Sequence, residues 1–136
     1  MLVSTKGRYA LRVMIDLAQG YSESYIPMKD VAARQGLSLK YIERIMPLLN
    51  KGGLVQGVHG KGGGYRLSKD PKDISAGEIL QLTEGNLAPV ACLECGAEEC
   101  PRAKGCKTLP MWNEFHSMAN DYFNSISLAD LANSEK

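Results

Sequence analysis

Four cysteines, the only ones in the chain, fall within fifteen residues as Cys92, Cys95, Cys100 and Cys106. Their spacing is C-x2-C-x4-C-x5-C, and Gly96, Pro101 and Gly105 lie in the same segment. Thiols this dense, in a chain with no secretory signal, read as a metal or redox site rather than a disulfide framework. Four thiolates suit tetrahedral zinc, and a C-x2-C pair is a common half of such a site. An iron–sulfur cluster also takes four such ligands. A metal-free thiol sensor, switched by cysteine oxidation, is a third reading. A C-x-x-C oxidoreductase would need a thioredoxin-like βαβ context, and no such pattern surrounds Cys92 and Cys95. His59 and His116 stand too far from any nucleophile to suggest catalysis, so the chain does not read as an enzyme.

The charge is divided along the chain. Residues 1–66 carry ten Lys or Arg against four acids, a balance of +6. Residues 67–136 carry six against eleven, a balance of −5. A basic half joined to an acidic half suits a polyanion-binding module attached to something else. No apolar run approaches the ~20 residues that span a bilayer. The start, Met1-Leu-Val-Ser-Thr-Lys-Gly-Arg8, lacks a signal-peptide core, which points to the cytoplasm.

The patterning predicts the elements that position these groups. Ser4 caps a helix with apolar positions Ala10, Val13, Met14, Leu17 and Ala18, and Gly20 ends it. Pro27 opens a short helix through Val31 and Ala32. Gly36 turns the chain, and Ser38 caps a second helix that buries Leu39, Ile42, Ile45, Met46 and Leu49. Two short helices joined by such a turn are a helix-turn-helix signature. Pro47 lies inside the second helix and predicts a kink or an early end there. Leu54–Val58 and Gly64–Leu67 read as two strands around the tip His59-Gly-Lys-Gly-Gly63, which together make a wing. GKGGGY is no phosphate-binding NTPase loop, because no Ser or Thr follows Lys61 and no helix follows the loop.

Ser75 and Glu78 predict a capping box on a helix through Ile79, Leu80 and Leu82, closed by Gly85. Residues 86–107 then form the cysteine loop, with too few apolar residues to fold without a ligand. A long helix begins near Thr108. Trp112, Phe115, Ala119, Tyr122 and Ile126 recur along it at spacings of 3, 4, 3 and 4, the seam of a helix packed on another helix. Packing on the protein's own core would also use such a seam; a homodimer is the favoured expectation, since a small major-groove reader gains affinity from two half-sites. Ser127 and Asp130 cap a final turn. The chain divides into a winged helix-turn-helix (1–85), a cysteine loop (86–107), and a dimerisation helix with its tail (108–136). The fold class is mainly α with a small β-hairpin.

The DNA contacts follow from that layout. Lys6, Arg8 and Tyr9 at the first helix's start are candidates for phosphate. Ser38, Lys40, Tyr41, Glu43 and Arg44 are placed at the major groove, where Arg44 can bond guanine O6 and N7 and Glu43 can accept from cytosine N4. His59 and Lys61 lie at the wing tip over the minor groove. The expected partners are double-stranded DNA and a second copy of the chain, with no membrane and no small-molecule substrate.

STKGRYAL (4–11), LSLKYIERI (37–45), GLV (53–55) followed by GKGGGYRL (60–67), and a cysteine loop before a long helix are combined here. In this combination the chain resembles the winged-helix regulator family that includes the iron–sulfur regulator IscR and the nitric-oxide regulator NsrR. The resemblance covers nearly the whole chain and is strongest to the IscR branch. It implies a homodimeric transcription regulator whose loop holds an iron–sulfur cluster, 2Fe–2S in IscR-like members and 4Fe–4S in NsrR-like ones. On that resemblance Cys92, Cys100 and Cys106 match the family's three cysteines, across a loop two residues longer between the first two. The IscR histidine ligand falls at Leu109, which cannot bind iron, and the additional Cys95 is the natural substitute. The wing position usually held by arginine is His59.

Overall fold

The computed structural model describes residues 3–94 and 98–134. Among these residues six α-helices accompany one two-stranded antiparallel hairpin, which packs on α1 and α3. Helix α1 (Thr5–Gln19) forms because Ser4 Oγ accepts the Gly7 N–H at 3.3 Å, and Gly20 caps its end. Ala10, Val13, Met14 and Leu17 make its buried stripe, with Ala18 half-buried at the edge. Asp16 interrupts that stripe and is only 5% exposed. Both its carboxylate oxygens meet Arg34, at 2.7–3.3 Å, and Gln35 Nε2 donates to it at 3.0 Å. A bidentate guanidinium satisfies the lone pairs that burial would otherwise orphan, and it ties α1 to the next helix. The same carboxylate raises the Arg34 pKa, mainly by hydrogen bonding.

Helix α2 (Met28–Gln35) starts one residue later than the sequence suggests, with Pro27 as its N-cap. Gly36 adopts the left-handed region at φ 64° and turns the chain toward α3 (Leu39–Lys51). Ser38 Oγ accepts the Tyr41 N–H at 3.3 Å, as its type and position predict. Ile42, Ile45, Met46 and Leu49 are fully buried. Leu39 is not: it is 38% exposed, and Leu37, swung inward by the glycine turn, is buried instead. Nor does Pro47 end the helix, which runs on to Lys51. The carbonyl left without its donor is that of Glu43, and both residues lie on the exposed face where water can reach it.

Strands β1 (Val55–Val58) and β2 (Gly64–Leu67) pair from Val55 with Leu67 to Val58 with Gly64. Leu54 is buried just ahead of β1 rather than inside it. Tyr65 exchanges two backbone bonds with Ile26, at 2.8 and 3.0 Å, which fastens the hairpin to the segment before α2. Gly64 permits that approach. Its φ is 150°, and a Cβ there would lie 2.1 Å from the Ile26 carbonyl oxygen.

A single 3₁₀ turn (Pro71–Asp73) leads to α4 (Ala76–Glu84). Ser75 Oγ accepts the Glu78 N–H at 3.0 Å, but the Glu78 side chain pairs with Lys69 at 3.3 Å rather than completing the predicted box. Helix α5 (Leu109–Ser125) lies against α4, where Gly77 allows close contact with Asn124. Helix α6 (Leu128–Ala132) has the full reciprocal box between Ser127 and Asp130. It returns to α1 and buries Leu128 completely. Backbone bonds from Leu128 to Ile74 (2.7 Å) and from Ala76 to Ile126 (2.8 Å) stitch this return to the start of α4. No helix among the described residues is long and apolar enough to cross a membrane.

Candidate nucleic-acid interface and cysteine loop

The face of α3 opposite its buried stripe presents Lys40, Glu43 and Arg44 to solvent, with Ser38 exposed at its cap. Among the described residues Glu43 makes no ion pair. Tyr41 stands on the flank, half-buried and edge-on to Tyr9 of α1 at 5.4 Å between ring centroids. The two tyrosines therefore hold α1 against α3 while sharing one surface. Arg8 lies exposed beside them and bonds Thr5 Oγ1 at 3.1 Å; Lys6 is half-buried. Arg12, one turn after Arg8, was not singled out by the sequence reading. Its guanidinium stacks 5.5 Å from the Tyr9 ring and donates to the Gln35 carbonyl. The i, i+4 spacing from Arg8 was the available signal.

At the wing tip His59 and Lys61 are both exposed, and Gly60 and Gly62 take φ of 90° and 79°. Arg66 was also missed. It braces the wing from within, stacking 4.5 Å over the Tyr25 ring and donating to Gln56 Oε1 and the Glu23 carbonyl.

The cysteine loop opens on buried Leu87, and from Ala88 to Lys107 no described residue is buried. Cys92 is exposed in a 3₁₀ turn (Ala91–Leu93), while Cys100 and Cys106 are half-buried on either side of a second (Ala103–Gly105). These three are free thiols. Cys95, the expected substitute ligand, lies outside the described residues. The Cys106 sulfur sits 3.4 Å from Thr108 Oγ1, just ahead of α5. That hydroxyl, with the backbone N–H groups of Thr108 and Leu109, holds the thiol below its ordinary pKa. Leu109 is the first residue of α5 and half-buried. Among the described residues no group of three or more His, Cys, Asp and Glu side chains converges to hold a metal. The donor set itself, free thiols with one held below its ordinary pKa, is that of a soft metal or cluster.

Helix α5 buries none of its residues in the single chain. Phe115 and Tyr122 of the predicted seam are exposed, and Met111 and Met118 join them at spacings of 4, 3 and 4. Trp112 and Ala119 are half-buried beside that stripe. Ile126 falls just past the helix as its C-cap and lines an apolar pocket with Leu80, Tyr122 and Phe123. His116 is half-buried and lies 3.3 Å from Asn120, which accepts from Gln81 of α4 at 3.2 Å.

A helix-turn-helix, a glycine-tipped hairpin and an exposed basic surface spanning both define a winged-helix DNA-binding protein. Residues 3–134 match the Rrf2 family, described as iron-dependent transcriptional regulators, and the chain belongs to that family. It is 36% identical over 135 residues to the HTH-type transcriptional regulator IscR of Serratia proteamaculans, covering 99% of this chain and 81% of that one. Among solved structures it is similar to CymR, the global cysteine regulator of B. subtilis, with TM-score 0.80 and 33% identity over 100% of this chain and 99% of that one. It is also similar to T. potens IscR, with TM-score 0.72 and 32% identity over 100% and 93%. The chain is thus a DNA-binding transcription regulator of a non-enzymatic family.

Proposed function

We propose that this regulator works in the cytoplasm as a homodimer whose affinity for DNA is set by an iron–sulfur cluster on the cysteine loop. The observation that carries the reading is a run of four cysteines in the segment between α4 and α5, in a family described as iron-dependent. Cys92, Cys95, Cys100 and Cys106 would hold the cluster, with 2Fe–2S favoured and 4Fe–4S the alternative nuclearity. Such a cluster supplies sensitivity to iron supply, oxidants and electrons. With Leu109 at the position of the IscR histidine, a fourth thiolate adds negative charge and lowers the reduction potential. The thiols are the part this chain contributes: Thr108 and the first N–H groups of α5 favour the charged form of Cys106 that metals require. Genes of cluster assembly or of iron and redox stress are the targets this chemistry suits.

On the DNA side, Lys40, Tyr41, Glu43 and Arg44 would read bases, with Ser38 at the cap. Lys6, Arg8 and Tyr9 would position the backbone, and His59 and Lys61 would follow the minor groove. The exposed Met111, Phe115, Met118 and Tyr122 would meet their copies across a twofold axis.

A second reading is a zinc-stabilised or thiol-redox regulator. It is favoured by the likeness to the cysteine regulator CymR and by Leu109 in place of a ligand. Anaerobic absorption spectra of the cysteine variants separate the two. Cys92→Ala, Cys100→Ala and Cys106→Ala should each abolish the visible chromophore, and Cys95→Ala should abolish or shift it. A colourless wild type with stoichiometric zinc would favour the second reading, and an unchanged spectrum in Cys95→Ala would move the fourth ligand elsewhere.

A further inference from the structure

Leu39 is a large apolar side chain left in solvent at the first residue of α3. Leu37 has taken the core position, so burial within the chain does not account for it. Leu39, Glu43 and Pro47 follow one another at four-residue spacing and form one wall of a groove. Val58, itself exposed, and Tyr65 form the facing wall on the hairpin. The groove is continuous with the surface that carries Lys40 and Arg44, so in this DNA-binding protein its occupant is duplex DNA. The N-terminal residues of a recognition helix are those that reach base edges.

A leucine has few favourable partners there. Every hydrogen-bonding edge in the major groove loses water without return against an aliphatic side chain, whereas the thymine 5-methyl is apolar. Residues one turn apart on a helix stand about 5–6 Å apart. Successive base pairs rise about 3.4 Å. Leu39 and Glu43 therefore reach positions one or two base steps apart.

We propose that Leu39 is a specificity-determining residue that reads a thymine 5-methyl within two base steps of the base met by Glu43. The proposal rests on the reading of α3 as the base-reading helix. The test begins with duplexes selected from a random pool by the wild-type chain, in which each thymine is then replaced by deoxyuridine, removing only the methyl. One thymine per half-site should lose about fourfold in wild-type affinity on replacement, the effect of about one buried methyl group. Leu39→Ala should bind the thymine and deoxyuridine duplexes equally. The proposal is overturned if deoxyuridine is penalised nowhere, or if Leu39→Ala keeps the full penalty. It is also overturned if Leu39→Ala loses affinity on every duplex while wild type ignores the methyl, since Leu39 would then be packing on the sugar–phosphate backbone. Arg44→Ala distinguishes the underlying reading: a selected sequence unchanged by that variant would remove α3 as reader, whereas failure of Leu39 alone leaves the Arg44 effect intact.

Discussion

Cys106 and Thr108 show how a neighbouring hydroxyl and helix-start N–H groups would prepare the proposed ligand. The Thr108 hydroxyl lies within hydrogen-bond reach of the sulfur, where it can donate to a thiolate, and two N–H groups at the start of α5 add to it. Each stabilises the thiolate over the thiol, so the charged fraction at neutral pH rises. The sign can be tested on the metal-free chain by alkylating Cys106 with iodoacetamide across pH and reading the product by mass spectrometry. Thr108→Val should move the midpoint upward, toward the ordinary thiol value. An unmoved midpoint would mean the hydroxyl does not reach the sulfur. This preparation was hidden in the sequence, because Thr108 was visible there only as a neighbour of the helix start. Asp16 was hidden in the same way. A carboxylate inside an apolar stripe is read as surface until Arg34 and Gln35 are brought to it by the fold. Ser4, Ser38 and Ser127, by contrast, act on N–H groups three residues away, and their capping was legible from spacing alone.

On the proposed reading, α3 and the hairpin divide the labour of binding. Helix α3 is rigidly seated by four fully buried side chains and offers an exposed polar face. The hairpin is short, glycine-tipped and fastened through Ile26. A seated helix can discriminate bases, while an exposed basic tip adds mainly charge. Arg44→Ala should accordingly lose roughly 1–3 kcal/mol at its preferred base and relax preference there. Lys61→Ala should weaken all duplexes alike and reduce the salt slope by about one. Fluorescence anisotropy on matched and mismatched duplexes at several salt concentrations measures both, and the same uniform loss in the two variants would refute the division. Most of these elements were legible, since glycine turns, serine caps and 3-4 apolar spacing act locally. What spacing could not give was which member of a stripe is displaced. Leu39 and Leu37 exchange places because of a turn whose geometry only the folded chain specifies. Pro47 likewise looked like a helix end, and whether its orphaned carbonyl finds water depends on which face it occupies.

At the scale of the molecule, the return of α6 onto α1 places residues near both ends of the chain in one core, with α5 left on its outside against α4. A 17-residue helix with no buried side chain carries an exposed stripe containing Met118 (61% exposed) and Tyr122 (63% exposed), which the proposed dimer would cover. The seam was legible as a periodicity, but its centre was not. Trp112 and Ala119 turn partly inward, and Met111 and Met118 take the open side. Phe115→Glu or Tyr122→Glu should give monomers by light scattering at micromolar concentration and lose tight binding to a two-half-site duplex. A monomeric wild type would remove the dimer from the account. The cysteine loop showed its residue types in the sequence but not its geometry, because spacing does not set the path of a loop without a core of its own.

Whether the centre proposed on this loop sets DNA binding is decided by one operator titrated under anaerobic conditions with the same chain before and after reconstitution by iron and sulfide. Reconstituted protein should carry visible absorption, about two irons and two sulfides per chain, and an operator affinity at least about tenfold different from the cluster-free form, a coupling of about 1.4 kcal/mol. Equal affinities in the two forms, with iron and sulfide confirmed in one of them, would contradict the proposal.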